Sequence, residues 1–169
     1  MTTTLLANHL GGQWHTATDA GTPLFDPVLG TEIVRVGSTG LDLAAGFRFA
    51  RDEGGKALRA LTYGERAALL AAIVKVLQAQ RDAYDEIATA NSGTTRKDSA
   101  VDIDGGIFTL GYYAKQGEAL GSARALLDGE RIRMGKDPVF QTQHMLTPTR
   151  GVALFINAFN FPSWGLWEK

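Results

Sequence analysis

Val152-Ala153-Leu154-Phe155-Ile156-Asn157-Ala158-Phe159-Asn160-Phe161-Pro162 is the stretch on which the fold of this chain turns. Its first five residues form a continuous apolar run of strand length, the pattern of a strand buried on both faces of a parallel sheet. Two asparagines follow, and then Pro162 stands where a helix is expected to begin, since proline suits the first helical position. Carboxamides are thereby placed at the carboxyl end of a sheet strand, where α/β folds gather their ligands. Spacing alone favours a plainer role: Asn160 caps the helix that follows.

Upstream, Thr147-Pro148-Thr149-Arg150-Gly151 reads as a turn and Val139 to Leu146 as a strand, while Gly121 to Asp137 is charged and glycine-punctuated and reads as helix tail and loop. A helix is expected from about Asp98 to Gly117, carrying Val101, Ile103, Ile107, Phe108, Leu110, Tyr112 and Tyr113. Gly105-Gly106 either weakens it or admits a second backbone. Thr62-Tyr63-Gly64-Glu65 matches a capping box and opens another helix. Its apolar stripe is Leu70, Ile73, Val74, Leu77, Tyr84, Ile87 and Ala88, and Asn91-Ser92-Gly93 ends it. Asp42 is placed to cap a helix that Gly54-Gly55 is expected to break. The first forty residues read as β: strands over His9 to Trp14, Thr22 to Asp26 and Glu32 to Val36, with Asp26-Pro27-Val28-Leu29-Gly30 as a turn.

Composition narrows the function classes. The 169 residues carry 17 Lys+Arg against 18 Asp+Glu, a net charge of -1, so no basic face draws the chain to nucleic acid or an anionic membrane. No apolar run approaches the ~18 residues a bilayer span requires, the start lacks a secretory pattern, and a cytoplasmic setting is expected. There is no cysteine, hence no thiol nucleophile in these residues. A metal site is not expected: His9, His15 and His144 lack partners at ligand spacing. Asp98, Asp102 and Asp104 lead to Gly105 but place Thr109 or Tyr113 where a calcium loop needs Glu. That trio reads as a solvated helix face with a helix-terminus role. Thr94-Thr95-Arg96-Lys97 lacks the glycine-rich context of a phosphate cradle.

Taken together, Asn8 to Trp14, Asp26-Pro27 with Gly30, the long helix from Thr62, and Arg150-Gly151-Val152 leading to Asn160-Phe161-Pro162 resemble the N-terminal third of the aldehyde dehydrogenase superfamily. The usual signature ends in Pro-Trp-Asn-Phe-Pro, and here Ala158-Phe159 replaces the Pro-Trp pair. That departure, with Ser99 to Ile107, is similar to a branch that oxidises CoA-linked semialdehydes from phenylacetate and benzoyl-CoA breakdown. The fold class implied is α/β, an incomplete N-terminal part of the dehydrogenase fold: a β-hairpin cover, long helices and the first Rossmann-type strand. Residues 1–138 would belong to the NAD(P)-binding domain, 139–151 to an oligomerisation hairpin and 152–169 to the first strand and helix of the cofactor core, with no catalytic domain.

The resemblance also implies residue roles. In such enzymes a cysteine thiolate attacks the aldehyde, hydride passes to a nicotinamide, and water releases the acid. Asn160 matches the asparagine whose amide donates to the oxyanion, a donor whose loss costs roughly 100- to 1,000-fold in rate. Lys169 matches a lysine near the general-base water path. Ile156, Asn157, Ala158 and Phe159 match positions along the nicotinamide ribose of NAD or NADP; Phe161, Trp164 and Gly165 match the aldehyde entrance. Gly165 is expected to leave room for a bulky thioester-bearing substrate. The nucleophilic cysteine and general-base glutamate would lie beyond Lys169, making the chain an inactive fragment of an enzyme roughly three times its length. Trp164, Leu166 and Trp167 would then lack a sheet to cover. Expected partners are a small-molecule aldehyde, a CoA thioester being the form the branch implies, and further copies of the full-length enzyme in a homodimer or larger homo-oligomer. The alternatives are a catalytically dead assembly or regulatory module of the same fold and an unrelated α-helical interaction domain.

Overall fold

The computed structural model describes residues 3–169. Two small antiparallel hairpins open the chain. The first pairs β1 (Asn8–Leu10) with β2 (Gln13–His15). The expected single strand over His9 to Trp14 is thus a hairpin, because Gly11 and Gly12 both take positive φ, 60° and 81°, as a two-residue turn demands. The second pairs β3 (Thr22–Phe25) with β4 (Glu32–Val36), close to expectation. Asp26 organises their turn by accepting from the amides of Val28 at 2.8 Å and Leu29 at 2.9 Å.

Asp42 caps α1 (Leu43–Phe49) by accepting from the Ala45 amide at 2.8 Å. The break expected at Gly54-Gly55 does not occur. The chain continues through a π-helical turn (Ala50–Gly54) into α2 (Gly55–Ala60), with both glycines at right-handed helical angles. Glycine lowers helix stability by about 1 kcal/mol but does not forbid the conformation.

Thr62 and Glu65 form the expected capping box at the start of α3 (Tyr63–Ala79): the Thr62 amide donates to Glu65 Oε2 at 2.7 Å, and the Glu65 amide donates to Thr62 Oγ1 at 3.2 Å. The Thr62 amide holds the Glu65 carboxyl below its ordinary value. The helix expected to run unbroken to Asn91 is two helices, interrupted at Gln80 (φ -111°, ψ 14°) and resuming as α4 (Arg81–Ser92). A stripe continuous in sequence is therefore not continuous in space. Leu70, Val74, Leu77, Tyr84 and Ala88 reach the core, while Ile73 and Ile87 remain largely exposed. Gly93 closes α4 in the left-handed region, φ 65°, where any Cβ would meet Pro27 at 2.8 Å.

α5 (Arg96–Leu120) is the centre of the packing. Its buried residues Ser99, Asp102, Ile103, Gly106, Ile107, Leu110 and Ala114 recur at three- and four-residue intervals, one face of a single helix. Ile103 is fully buried and forms the core with Leu77, Ile107 and Leu110.

Beyond α5 the residues read as loop form β5 (Leu126–Arg133), antiparallel to β6 (Gln141–Leu146). β5 escapes detection because it is exposed almost throughout: Asp128, Glu130, Arg131 and Arg133 leave no apolar alternation to read. The hairpin spans 126–146, and its second strand, β6, lies within the expected 139–151 segment. Val152–Ile156, expected as a strand, has no regular structure, and Leu154 and Ile156 are 72% and 84% exposed. A parallel strand takes its hydrogen bonds from neighbours, and among the described residues none lies beside it. α6 (Pro162–Glu168) follows and packs on α5. Trp164 and Trp167 are accordingly not left uncovered. Trp167 joins the core and meets the Tyr84 ring edge-on at 5.8 Å, and Trp164 lies on Gly105, leaving only Leu166 half exposed. Among the described residues no helix is long and apolar enough to cross a membrane.

Candidate active-site turn

The turn that carries Asn160 is held from the side by α5. A Cβ on Gly105 would collide with the Trp164 ring, and one on Gly106 would stand 3.0 Å from Trp164 Cα and 2.8 Å from the Trp167 ring. The glycine pair thus admits a second helix at close range, one of the two outcomes open in the sequence. One helical turn earlier, the Asp102 carboxylate accepts from the amides of Ser163 at 3.0 Å and Trp164 at 2.8 Å.

These contacts complete the hydrogen bonding at the start of α6. Pro162 has no amide hydrogen, Ser163 and Trp164 donate to Asp102, and the Gly165 amide donates to the Phe161 carbonyl at 3.1 Å. The capping position is Phe161, which supplies no side-chain bond. Asn160 does not cap α6; a carboxylate about sixty residues upstream does. Asp102 is only 4% exposed, so it is no part of a solvated face, although its helix-terminus role stands. Asp104 faces the other way in function: it forms two bonds to Arg81, at 2.6 and 2.7 Å, which hold its carboxyl below the ordinary value.

Asn160 is exposed and lines a cleft of about 130 Å³ together with Ser92, Thr94, Ser99 and Asp102. The floor of this region is tied by the 2.6 Å contact between the Thr94 and Ser99 hydroxyls. Ahead of the turn, Ile156, Ala158 and Phe159 are exposed, Phe159 to 92%. Asn157 is half-buried, and its Oδ1 is sealed from solvent without a hydrogen-bond partner. Asn157 Oδ1 and Lys169 Nζ approach a common point beside Gly165, lying 3.6 and 3.8 Å from where a Cβ would project. Those are ordinary contact distances, so the first atom of a side chain fits there. Phe161 and Trp164 meet edge-on at 6.3 Å.

Of the expected site residues, the fold brings Asn157, Gly165 and Lys169 together, and it places Asn160 in the lining of a small cleft with Phe161. Asp102 was not among them. A signal for it exists in the sequence: a carboxylate one turn before two adjacent glycines marks a bare helix patch with a ready acceptor for another helix's amides.

Comparison with known proteins bears on the whole chain. It is 55% identical over 164 residues to the 3,4-dehydroadipyl-CoA semialdehyde dehydrogenase of Aromatoleum evansii, an alignment covering 97% of this chain and 32% of that enzyme. The chain thus spans about a third of that relative's length. Among solved structures, the fold is similar to aldehyde dehydrogenase 21 of Physcomitrella patens in complex with succinate (TM-score 0.67, 16% identity, 83% of this chain and 28% of that one). It is also similar to the betaine aldehyde dehydrogenase of Staphylococcus aureus in complex with NAD+ (TM-score 0.63, 18% identity, 82% and 26%). Both likenesses are of fold, and both cover only a part of the larger chain, in keeping with a partial α/β dehydrogenase fold. Residues 14–168, from β2 to the end of α6, match the aldehyde dehydrogenase family, and the chain belongs to it.

Proposed function

We propose that this chain is the N-terminal part of an NAD(P)-dependent aldehyde dehydrogenase whose substrate is a CoA-linked aliphatic semialdehyde. The observation that carries the substrate class is the 55% identity, across nearly the whole chain, to a CoA-semialdehyde dehydrogenase. The geometry supports the roles of individual residues. Asn160, released from any capping duty, has its carboxamide free to donate to an oxyanion. A neutral amide suits that task because it offers a directional donor without a charge to desolvate. An aspartate there would oppose the developing negative charge.

The cofactor fits the residues present. Asn157 Oδ1 is a buried acceptor in want of a donor, which a ribose hydroxyl would supply, and the backbone of Ile156 with the exposed Ala158 and Phe159 would run along the cofactor. When bound, NAD(P) accepts the hydride. Phe161 and Trp164 would line the aldehyde entrance, and Lys169 would place a positive charge near the water path. Gly165 would leave space for the thioester-bearing substrate. Domain roles follow the same reading, with the 126–146 hairpin as the oligomerisation element.

With no cysteine among these residues, the thiolate that attacks the aldehyde is supplied from outside them. The chain by itself is therefore expected to leave NAD(P) unreduced in the presence of a CoA-linked semialdehyde. The test is an assay of two purified products of confirmed mass, these 169 residues alone and the complete open reading frame that contains them. Turnover by the longer product only is expected, with Asn160→Ala lowering its kcat roughly 100-fold or more. Reduction of NAD(P) by the 169 residues alone, or a longer product inert toward CoA-linked aldehydes, would overturn the reading.

A further inference from the structure

Among the described residues, Asp102 is the most deeply buried acid: it is 4% exposed, and no Lys, Arg or His lies within ion-pair distance of it. A lone buried carboxylate is costly unless its oxygens are occupied by hydrogen bonds. Here each oxygen takes one, from Ser163 and from Trp164, so the ionised form is anchored entirely by the first turn of α6. α6 has only seven residues, too few to hold its shape unaided. Its capping position, Phe161, contributes no side-chain bond. The start of α6, and hence the place of Asn160 two residues ahead of Pro162, depends on Asp102 and on the glycine pair beneath the tryptophans.

We propose that Asp102 is a positioning residue for the Asn160 carboxamide: by gripping the Ser163 and Trp164 amides from α5, it sets the turn from which that carboxamide projects. The proposal rests on the reading of Asn160 as oxyanion donor. It adds to that reading a remote acid, outside the 157–165 segment, on which the rate should depend. Oxyanion stabilisation is sensitive to where the donor stands, and a misplacement of about 1 Å costs on the order of 100-fold. Asp102 touches neither the aldehyde nor the cofactor in this scheme. Its loss should therefore lower kcat by a larger factor than it raises KM, the latter through Trp164 of the proposed aldehyde entrance, which the same turn carries.

Two measurements test this. In the 169-residue chain, Asp102→Ala should speed hydrogen exchange at the Ser163 and Trp164 amides by about tenfold or more while exchange in α3 stays as it was, which separates local release from unfolding. Asp102→Asn, similar in shape but with a single accepting oxygen, should release one of the two amides and serves if the alanine variant does not fold. Unchanged exchange in both variants overturns the proposal. In the longer enzyme that contains this chain, Asp102→Ala should lower kcat roughly 10- to 100-fold, with any rise in KM smaller than the loss in kcat. It should also lower kcat by less than about twofold further when Asn160→Ala is already present, since Asn160 is the group of this turn proposed to stabilise the oxyanion and its carboxamide is then gone. Multiplicative losses in the double variant overturn the proposal. An Asn160→Ala enzyme with full kcat would instead overturn the oxyanion reading beneath it, and the exchange result would still decide whether Asp102 holds the turn.

Discussion

α5 and the run Val152–Ile156 are both apolar enough to be buried, yet one forms the centre of the molecule and the other lies open to water. The difference lies in where each finds its backbone partners. A helix satisfies its amides and carbonyls within itself and needs only a face to cover, which α5 finds in α3, α4 and α6. A parallel strand must borrow every hydrogen bond from strands beside it, and among the described residues no strand pairs with Val152–Ile156. Apolar content thus predicts burial, but the geometry of the element decides whether burial can be achieved within a given length of chain.

The sharpest way to probe this contrast is to remove the same kind of side chain from each region. Ile103 is fully enclosed between Leu77, Ile107 and Leu110. Ile103→Ala is expected to lower the free energy of unfolding by about 2–5 kcal/mol, the range for a buried aliphatic truncated to a cavity. Urea denaturation followed by the fluorescence of Trp164 and Trp167 reads it directly. A loss under about 1 kcal/mol would mean that α5 is not the centre of the core.

A smaller effect comes from the link between the helices. Arg81 at the start of α4 holds Asp104 of α5 through two bonds, and both side chains are partly open to solvent. The guanidinium holds the Asp104 carboxyl below its ordinary value of 3.8, so the ionised acid favours the folded chain. That contribution is complete above about pH 4 and is lost as pH falls through the lower folded value. For a pair this exposed it amounts to about 0.2–1 kcal/mol. Asp104→Asn should therefore be less stable than the parent chain at neutral pH, and the gap should close as pH falls through the lowered folded value. A gap that persists undiminished in acid would assign the effect to packing rather than charge.

The same contrast explains what could be read from the sequence. Local devices were legible: the Thr62 and Glu65 box, the Asp42 cap, the Asp26 turn and the face of α5 are each written within a few adjacent residues. The break at Gln80 was not, because no proline or glycine marks it, and β5 was not, because a strand exposed on both faces carries no period-2 signal. At the candidate site, Asn160 could be singled out by its place after a strand-length run and before Pro162. Asp102 could not be joined to it, since two residues about sixty apart meet only through the docking of α6, and spacing along the chain says nothing of that.

The smallest expected effect is the most informative about the exposed run. Ile156 is 84% exposed, so Ile156→Ala in this chain should change stability by less than about 0.5 kcal/mol, as for an ordinary surface site. In the longer enzyme proposed above, neighbouring strands would enclose the same side chain, and the same substitution should cost about 2–5 kcal/mol. The side chain and the sequence around it are identical in the two cases; only the partners differ. If Ile156→Ala is neutral in both, the run is not a buried strand of a larger sheet, and the placement of Asn157 and Asn160 at a strand's carboxyl end falls with it. If the cost appears only in the longer chain, the openness of Val152–Ile156 is the mark of a sheet that other residues complete.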